Sequence, residues 1–152
     1  MRHTEEHVFS KGRISPTTKR AVVTSAMPVF VAGRFDGVVA IDLELERLNE
    51  TVRRIGLKLP HGEVGNLIIV DDTGQVLARS ERNRLLENVS DSLPGIEEVL
   101  SGREGSLIET DPWGVERLYS YTPVPSAGWG VVVQRPTRLA FTSLHSIQSG
   151  FT

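Results

Sequence analysis

The residues whose types and spacing could hold a ligand lie on one predicted strand, residues 116–124. Side chains alternate across a strand, so Arg117, Tyr119 and Tyr121 share one face while Leu118, Ser120 and Thr122 share the other. A guanidinium beside two phenols can grip a small carboxylate, through a charged fork and hydroxyl donors. Arg79 and Glu109 fall on predicted strands that could lie beside this one and complete the set. Packing accounts for the same residues equally simply, with the tyrosines as core or rim and the charges facing water. Both readings stand on the residues alone.

No other group has the spacing of a reactive centre. His3, His7, His61 and His145 are too scattered for a metal site or a hydrolytic triad. His3 and His7 bracket two glutamates in a charged terminus, which reads as a solvated cluster. The Asp71-Asp72 pair runs into Thr73-Gly74 and reads as turn chemistry. Gly33, Gly37 and Gly102-Arg103-Glu104-Gly105 are turn glycines, without the spacing of a phosphate cradle at a helix start. Trp113 at a turn and Trp129 at a strand start read as packing anchors. With no cysteine among 152 residues, disulfides and thiolate chemistry are excluded. The expectation is a protein that is not an enzyme and needs no metal or cofactor.

The net charge of −2 comes from 17 basic and 19 acidic residues mixed along the chain, which argues against a nucleic-acid surface. With 39% hydrophobic and 24% charged residues, the composition is that of an ordinary globular protein. No apolar run reaches the roughly 18 residues of a membrane helix. If the parent is a membrane protein, the membrane is reached only through segments outside this sequence.

Several elements must position the candidate residues. Residues 8–15 predict a first strand, Pro16 to Lys19 a turn, and residues 20–31 a strand that Pro28 marks as an edge. A turn over 33–37 and a strand over 38–42 complete three antiparallel strands. The period then changes over 43–59. Leu45, Leu48, Val52, Ile55 and Leu59 recur in steps of three and four, one stripe of a helix that Asp42 can cap. That stripe packs on a sheet, or also forms a homodimer seam, since it is as regular as a coiled coil's. Residues 60–65 read as a linker. Residues 66–80 predict a hairpin, 94–100 a short helix closed by Gly102, and 106–111, 116–124 and 129–135 three more strands. Ala140, Leu144, Ile147 and Phe151 mark a C-terminal amphipathic helix.

From residue 60 onward this is the element order of a PAS-like α+β domain. It predicts a five-stranded antiparallel sheet flanked by long helices, with a short helix between its second and third strands. Residues 120–133 also repeat, in compressed form, the pattern of residues 25–40. Both carry Ser, then Pro-Val, Ala-Gly and Gly-Val-Val in that order. Two related units are implied, and the counterpart of the 66–80 hairpin in the first unit would fall before Met1.

Three segments now point to a family. They are A-V-V-T-S-A-M-P-V-F with G-R-F-D-G-V-V-A-I-D-L-E-L-E-R-L, then L-I-I-V-D-D-T-G-Q-V-L-A-R-S, then Y-S-Y-T-P-V-P-S-A-G-W-G-V-V-V-Q-R-P. The chain resembles the extracytoplasmic double Cache sensor region of bacterial and archaeal receptors. The resemblance implies the end of a membrane-distal module over 1–42, a linker helix over 43–59, a complete membrane-proximal module over 60–136, and over 137–152 a helix toward a membrane span. It implies a histidine kinase, chemoreceptor or diguanylate cyclase as parent. It also implies a small amino acid, carboxylate or amine as ligand, with ligand state relayed through the C-terminal helix. Asp42 matches the acidic residue that pairs with a ligand ammonium in amino-acid-binding members; the helix cap is its other role. The aromatic and arginine cluster of those members belongs to the front half of the distal module, which this sequence lacks. A ligand-free module that only dimerises and spaces is the alternative function.

Overall fold

The computed structural model describes residues 7–57, 66–80 and 85–138, which build two antiparallel sheets. The first is organised on a long hairpin, β3 (Ala21–Val31) with β4 (Arg34–Glu44). Ala32 and Gly33 between them have φ of 51° and 76°, the paired left-handed conformation that lets two residues reverse a twisted hairpin. This corrects the expected 33–37 turn: the chain reverses two residues after Val31, and β4 begins at Arg34. A register shift between Val29 and Phe30 absorbs the mismatch.

On the opposite edge of β3 lie β1 (Val8–Phe9) and β2 (Arg13–Ile14), where one strand was expected over 8–15. The first sheet thus has four strands rather than three. Pro28 nevertheless sits inside β3. Ser10 donates its backbone N–H to the Thr24 carbonyl, and Thr24 donates its own to Ser10 Oγ. By alternation Pro28 turns the same way, past the last β1 pair of Val8 with Ala26, and among the described residues no ladder partner demands its missing N–H.

Helix α1 (Leu45–Leu57) follows β4 directly. Asp42 is therefore not its cap. It lies three residues earlier within β4, accepting from Thr24 Oγ1 at 2.6 Å and facing Arg13 at 3.5 Å. Leu45 and Val52 are buried, with Leu48 half-buried beside them, so the stripe packs on this chain's own sheets. Ile55 stays 50% exposed, and Leu59 lies outside the described residues.

The second sheet has the order β6-β5-β9-β8-β7, with every neighbouring pair antiparallel. Its strands are β5 (Asn66–Val70), β6 (Val76–Arg79), β7 (Gly105–Thr110), β8 (Glu116–Val124) and β9 (Trp129–Pro136). The repeated sequence pattern forms corresponding hairpins, β3–β4 and β8–β9, with Pro28 opposite Val38 and Pro123 opposite Gly130. The short helix α2 (Ile96–Leu100) covers one face, burying Ile96 and Val99 against Ile68, Val70, Tyr119 and Val132. Thr137 and Arg138 turn helical after β9; the remainder of the expected C-terminal helix lies outside the described residues. Among the described residues, no helix is long and apolar enough to cross a membrane.

The opposite face of the second sheet meets the first. Val23 of β3, Leu45 of α1 and Leu77 of β6 are all fully buried in one cluster, and Phe9 stands edge-on to Trp129 with ring centroids 5.3 Å apart. Trp129 is thus the packing anchor expected. The connection between β1 and β2 leaves the first sheet to reach the second. Gly12 donates its N–H to Asp71 Oδ2 at 3.1 Å, and a Cβ here would come within 2.7 Å of Leu86 and 2.9 Å of Leu77. Only glycine lets the backbone approach this closely.

Asp71 is a turn residue, as expected, and more. Its Oδ1 accepts the backbone N–H of Thr73 and Gln75 and the Thr73 hydroxyl, while Oδ2 ties down Gly12. Asp71→Ala removes all four bonds at a 2% exposed position and is expected to cost about 2 to 4 kcal/mol in chemical denaturation. Asp71→Asn keeps the turn acceptor, disturbs only the Oδ2 contacts with the Gly12 N–H and the Gln75 amide, and should cost less than half as much.

Candidate ligand site

The second sheet's α2-covered face does not close completely. Where β5, β6, β8 and β9 run past the end of α2, a cavity of about 480 Å³ remains, within the range of small-molecule sites. The sheet supplies Asn66, Ile68, Arg79, Arg117, Tyr119 and Gln134. These residues share one face because the register pairs Asn66 with Gln134, Ile68 with Arg79, and Tyr119 with Gln134. Ser92, Leu93 and Pro94 wall one side and the β7–β8 turn, Asp111 to Trp113, another. Four charged groups line the cavity in two pairs: Arg79 Nη1 lies 3.6 Å from Glu87 Oε2, and Arg117 Nε donates to Asp111 Oδ2 at 2.9 Å.

Arg117 is held by the turn. Asp111 Oδ1 accepts from the backbone N–H of Trp113 and Val115, so the carboxylate is fixed before it meets the guanidinium. Its side chain is only 7% exposed, against 29% for Arg117. The Arg117 hydrogen bond first, and the Val115 N–H next, hold the Asp111 carboxyl below its ordinary value of 3.8. Because the folded-state value is depressed, this pairing stabilises the protein above the unfolded value, and the gain is lost as pH falls through the folded one. The melting-temperature gap between wild type and Asp111→Asn should therefore be flat from about pH 5 to 8 and shrink below about pH 4. Tyr119 is 5% exposed, and burial pushes its phenol above 10.0, so it stays a hydroxyl donor at neutral pH. Arg79 is held at its backbone: Asn49 of α1, itself buried, accepts the Arg79 N–H at 2.7 Å. Its Nε is buried with no hydrogen-bond partner among the described residues.

Of the six expected ligand residues, Arg79, Arg117 and Tyr119 meet at the cavity. Tyr121, Glu109 and Asp42 do not line it. Tyr121 shares the face but lies under α2, where it packs so closely on Gly95 that a Cβ there would sit 2.8 Å from its ring. Glu109 is opposite Arg117 on β7, yet exposed. Arg79 is not on a strand adjacent to β8, because β5 and β9 intervene; it reaches the cavity by facing Ile68 across the β5–β6 ladder. Asp42 belongs to the first sheet. Trp113, read as an anchor, stands 84% exposed at the cavity rim.

A family model described as a Cache domain matches residues 1–144. The chain belongs to the Cache family. Its two sheets and few helices are those of the Cache, PAS-like fold. The methyl-accepting chemotaxis protein McpA of Pseudomonas putida is 27% identical over 134 residues, covering 84% of this chain and 20% of that protein. Among solved structures, the extracellular domain of mmHK1S-Z3, a candidate histidine kinase, aligns with a TM-score of 0.72 and 20% identity over 94% of this chain and 54% of that one. The ligand-binding domain of Mlp24, solved with asparagine, aligns at 0.65 and 22% identity over 92% of this chain and 55% of that one. The chain thus spans about a fifth of its chemotaxis relative and about half of the solved Cache domains.

Within this Cache fold, the residues that sequence reasoning missed are Asp111, Glu87, Asn66 and Gln134 at the cavity, and Asn49 behind it. A signal for Asp111 was present. Asp71-Asp72-Thr73-Gly74-Gln75 and Asp111-Pro112-Trp113-Gly114-Val115 share the Asp-x-x-Gly pattern, and both form the same turn. Asn49 gave a signal only by its place, four residues after Leu45 and three before Val52, where a polar residue interrupts the apolar face of the helix.

Proposed function

We propose that this Cache chain is the extracytoplasmic sensing part of a membrane receptor, a histidine kinase, chemoreceptor or diguanylate cyclase, and that it performs no catalysis. Its ligand is a small organic carboxylate, an amino acid or related compound, bound in the second sheet's cavity. Arg117 is the carboxylate anchor, with Arg79 and Tyr119 as further donors. The observation that carries this reading is the convergence of those three donors on one cavity of about 480 Å³. The proposed module boundaries are those of the family resemblance, with the second sheet membrane-proximal.

The relay is a population shift: a ligand that prefers one placement of Arg117 biases whatever moves with it, by its differential affinity for the two states. Thr137, where the chain turns helical after β9, supports that route. It is buried and donates to Glu116 Oε1 at 2.8 Å, one residue from Arg117. The alternative, a ligand-free homodimer through 43–59, has in its favour the exposed Ile55 on α1. The two readings separate in a thermal-shift screen of amino acids, small carboxylates and amines. Ligand at a hundred times its dissociation constant adds about 2.7 kcal/mol to the folded state, a clear rise in melting temperature. A blank screen with a concentration-dependent dimer would favour the alternative.

A further inference from the structure

We infer that Asp111 sets the charge of the ligand this cavity accepts, admitting one carboxylate and rejecting a second. The inference rests on the reading of Arg117 as anchor. Asp111 cannot rotate away from the site, because its Oδ1 is engaged by two backbone N–H groups of its own turn, at 3.0 and 2.9 Å. The same turn at Asp71 also leaves one oxygen over, and there Gly12 takes it. At Asp111 the remaining oxygen takes Arg117 Nε. The terminal nitrogens of Arg117 make no hydrogen bond among the described residues. On Arg117 one planar fork therefore remains for one carboxylate.

Beyond that fork the cavity is electrically balanced. Arg79 faces Glu87 and Arg117 faces Asp111. A ligand with one carboxylate meets the fork. A second carboxylate on the same ligand finds each arginine already neutralised and two fixed carboxylates in the wall, an arrangement that disfavours it through like-charge repulsion.

Calorimetry with propionate and succinate tests this on the whole chain. Wild type is compared with Asp111→Asn, Asp71→Asn and Arg117→Ala. Asparagine keeps the Oδ1 that both turn N–H groups need, so the Asp111 turn persists without its charge. Asp71→Asn makes the same change in the same turn away from the cavity. Wild type should bind propionate at least about tenfold more tightly than succinate, and Asp111→Asn should move that ratio about tenfold toward succinate, the effect of one nearby charge in a cleft. Asp71→Asn should leave the ratio unchanged, which separates charge selection from turn stability. An unchanged ratio in Asp111→Asn, or a wild type that prefers succinate, overturns the inference while leaving Arg117 as anchor. Undiminished propionate binding by Arg117→Ala, or no propionate binding by wild type, overturns the anchor reading and this inference with it.

Discussion

Arg117→Ala is expected to weaken binding of a monocarboxylate about a hundredfold by calorimetry, with the protein still folded. Removing one partner of a buried, hydrogen-bonded charge pair costs about 2 to 5 kcal/mol. Arg117 is 29% exposed, so the lower end applies, and that corresponds to about a hundredfold in affinity. Alanine also deprives the Asp111 carboxylate of its cation. That carboxylate keeps two turn N–H donors, so the turn should survive with a modest loss of stability. Arg117→Lys distinguishes charge from shape. Lysine restores a cation near Asp111 but offers a point charge in place of a fork, so affinity should recover only in part. Full recovery with lysine would mean that the cavity needs charge alone. Unchanged affinity in the alanine variant would remove Arg117 from the site.

Leu77→Ala should lower stability by about 3 kcal/mol, with both sheets melting in a single transition. Leu77 is fully buried where β6, α1 and β3 meet, in contact distance of Gly12 as well, so nothing small can refill the space. The single transition is the informative part. Val23 belongs to the first sheet, Leu77 to the second and Leu45 to the helix between them, and they form one cluster. A cavity there loosens both sheets together. Chemical denaturation followed by tryptophan fluorescence reads the junction of the two sheets, where Trp129 of β9 packs on Phe9 of β1. Circular dichroism reads both sheets. Coincident curves are expected; a fluorescence transition displaced from the dichroism transition would show that the sheets fold as separate units.

The cavity lies on one face of the second sheet and the shared core on the other, and Arg79 belongs to both. Its side chain lines the cavity, and its backbone N–H is held by Asn49 of α1. On the proposed reading, a ligand that shifts β6 would load α1 through this bond.

The elements themselves were legible because each rests on local chemistry. Period-two alternation, the Asp-Asp-Thr-Gly tip and the glycine after the short helix all act within a few residues, and the five strands of the second sheet were found with small shifts in their ends. The family was legible for the same reason, since its patterns follow the hairpins. The face carrying Arg117 and Tyr119 followed from alternation alone. Where residues of opposite preference compete locally, the sequence was less decisive. Residues 33–37 contain two glycines, and only the pairing of β3 with β4 selects Ala32-Gly33 as the reversal.

What the sequence by itself determined is thus the order of the elements of the second sheet, its strand faces and the family. Which strands lie side by side was decided by the tertiary structure, because sheet order depends on contacts between residues distant along the chain. That order separates Arg79 from β8 by two strands yet brings it to the same cavity. It turns Tyr121 from a ligand candidate into a support for Gly95, and Asp42 from a helix cap into a strand residue. It also gives two identical aspartate turns different partners, Gly12 for one and Arg117 for the other. The turn is local; the bond that each aspartate's Oδ2 accepts is not.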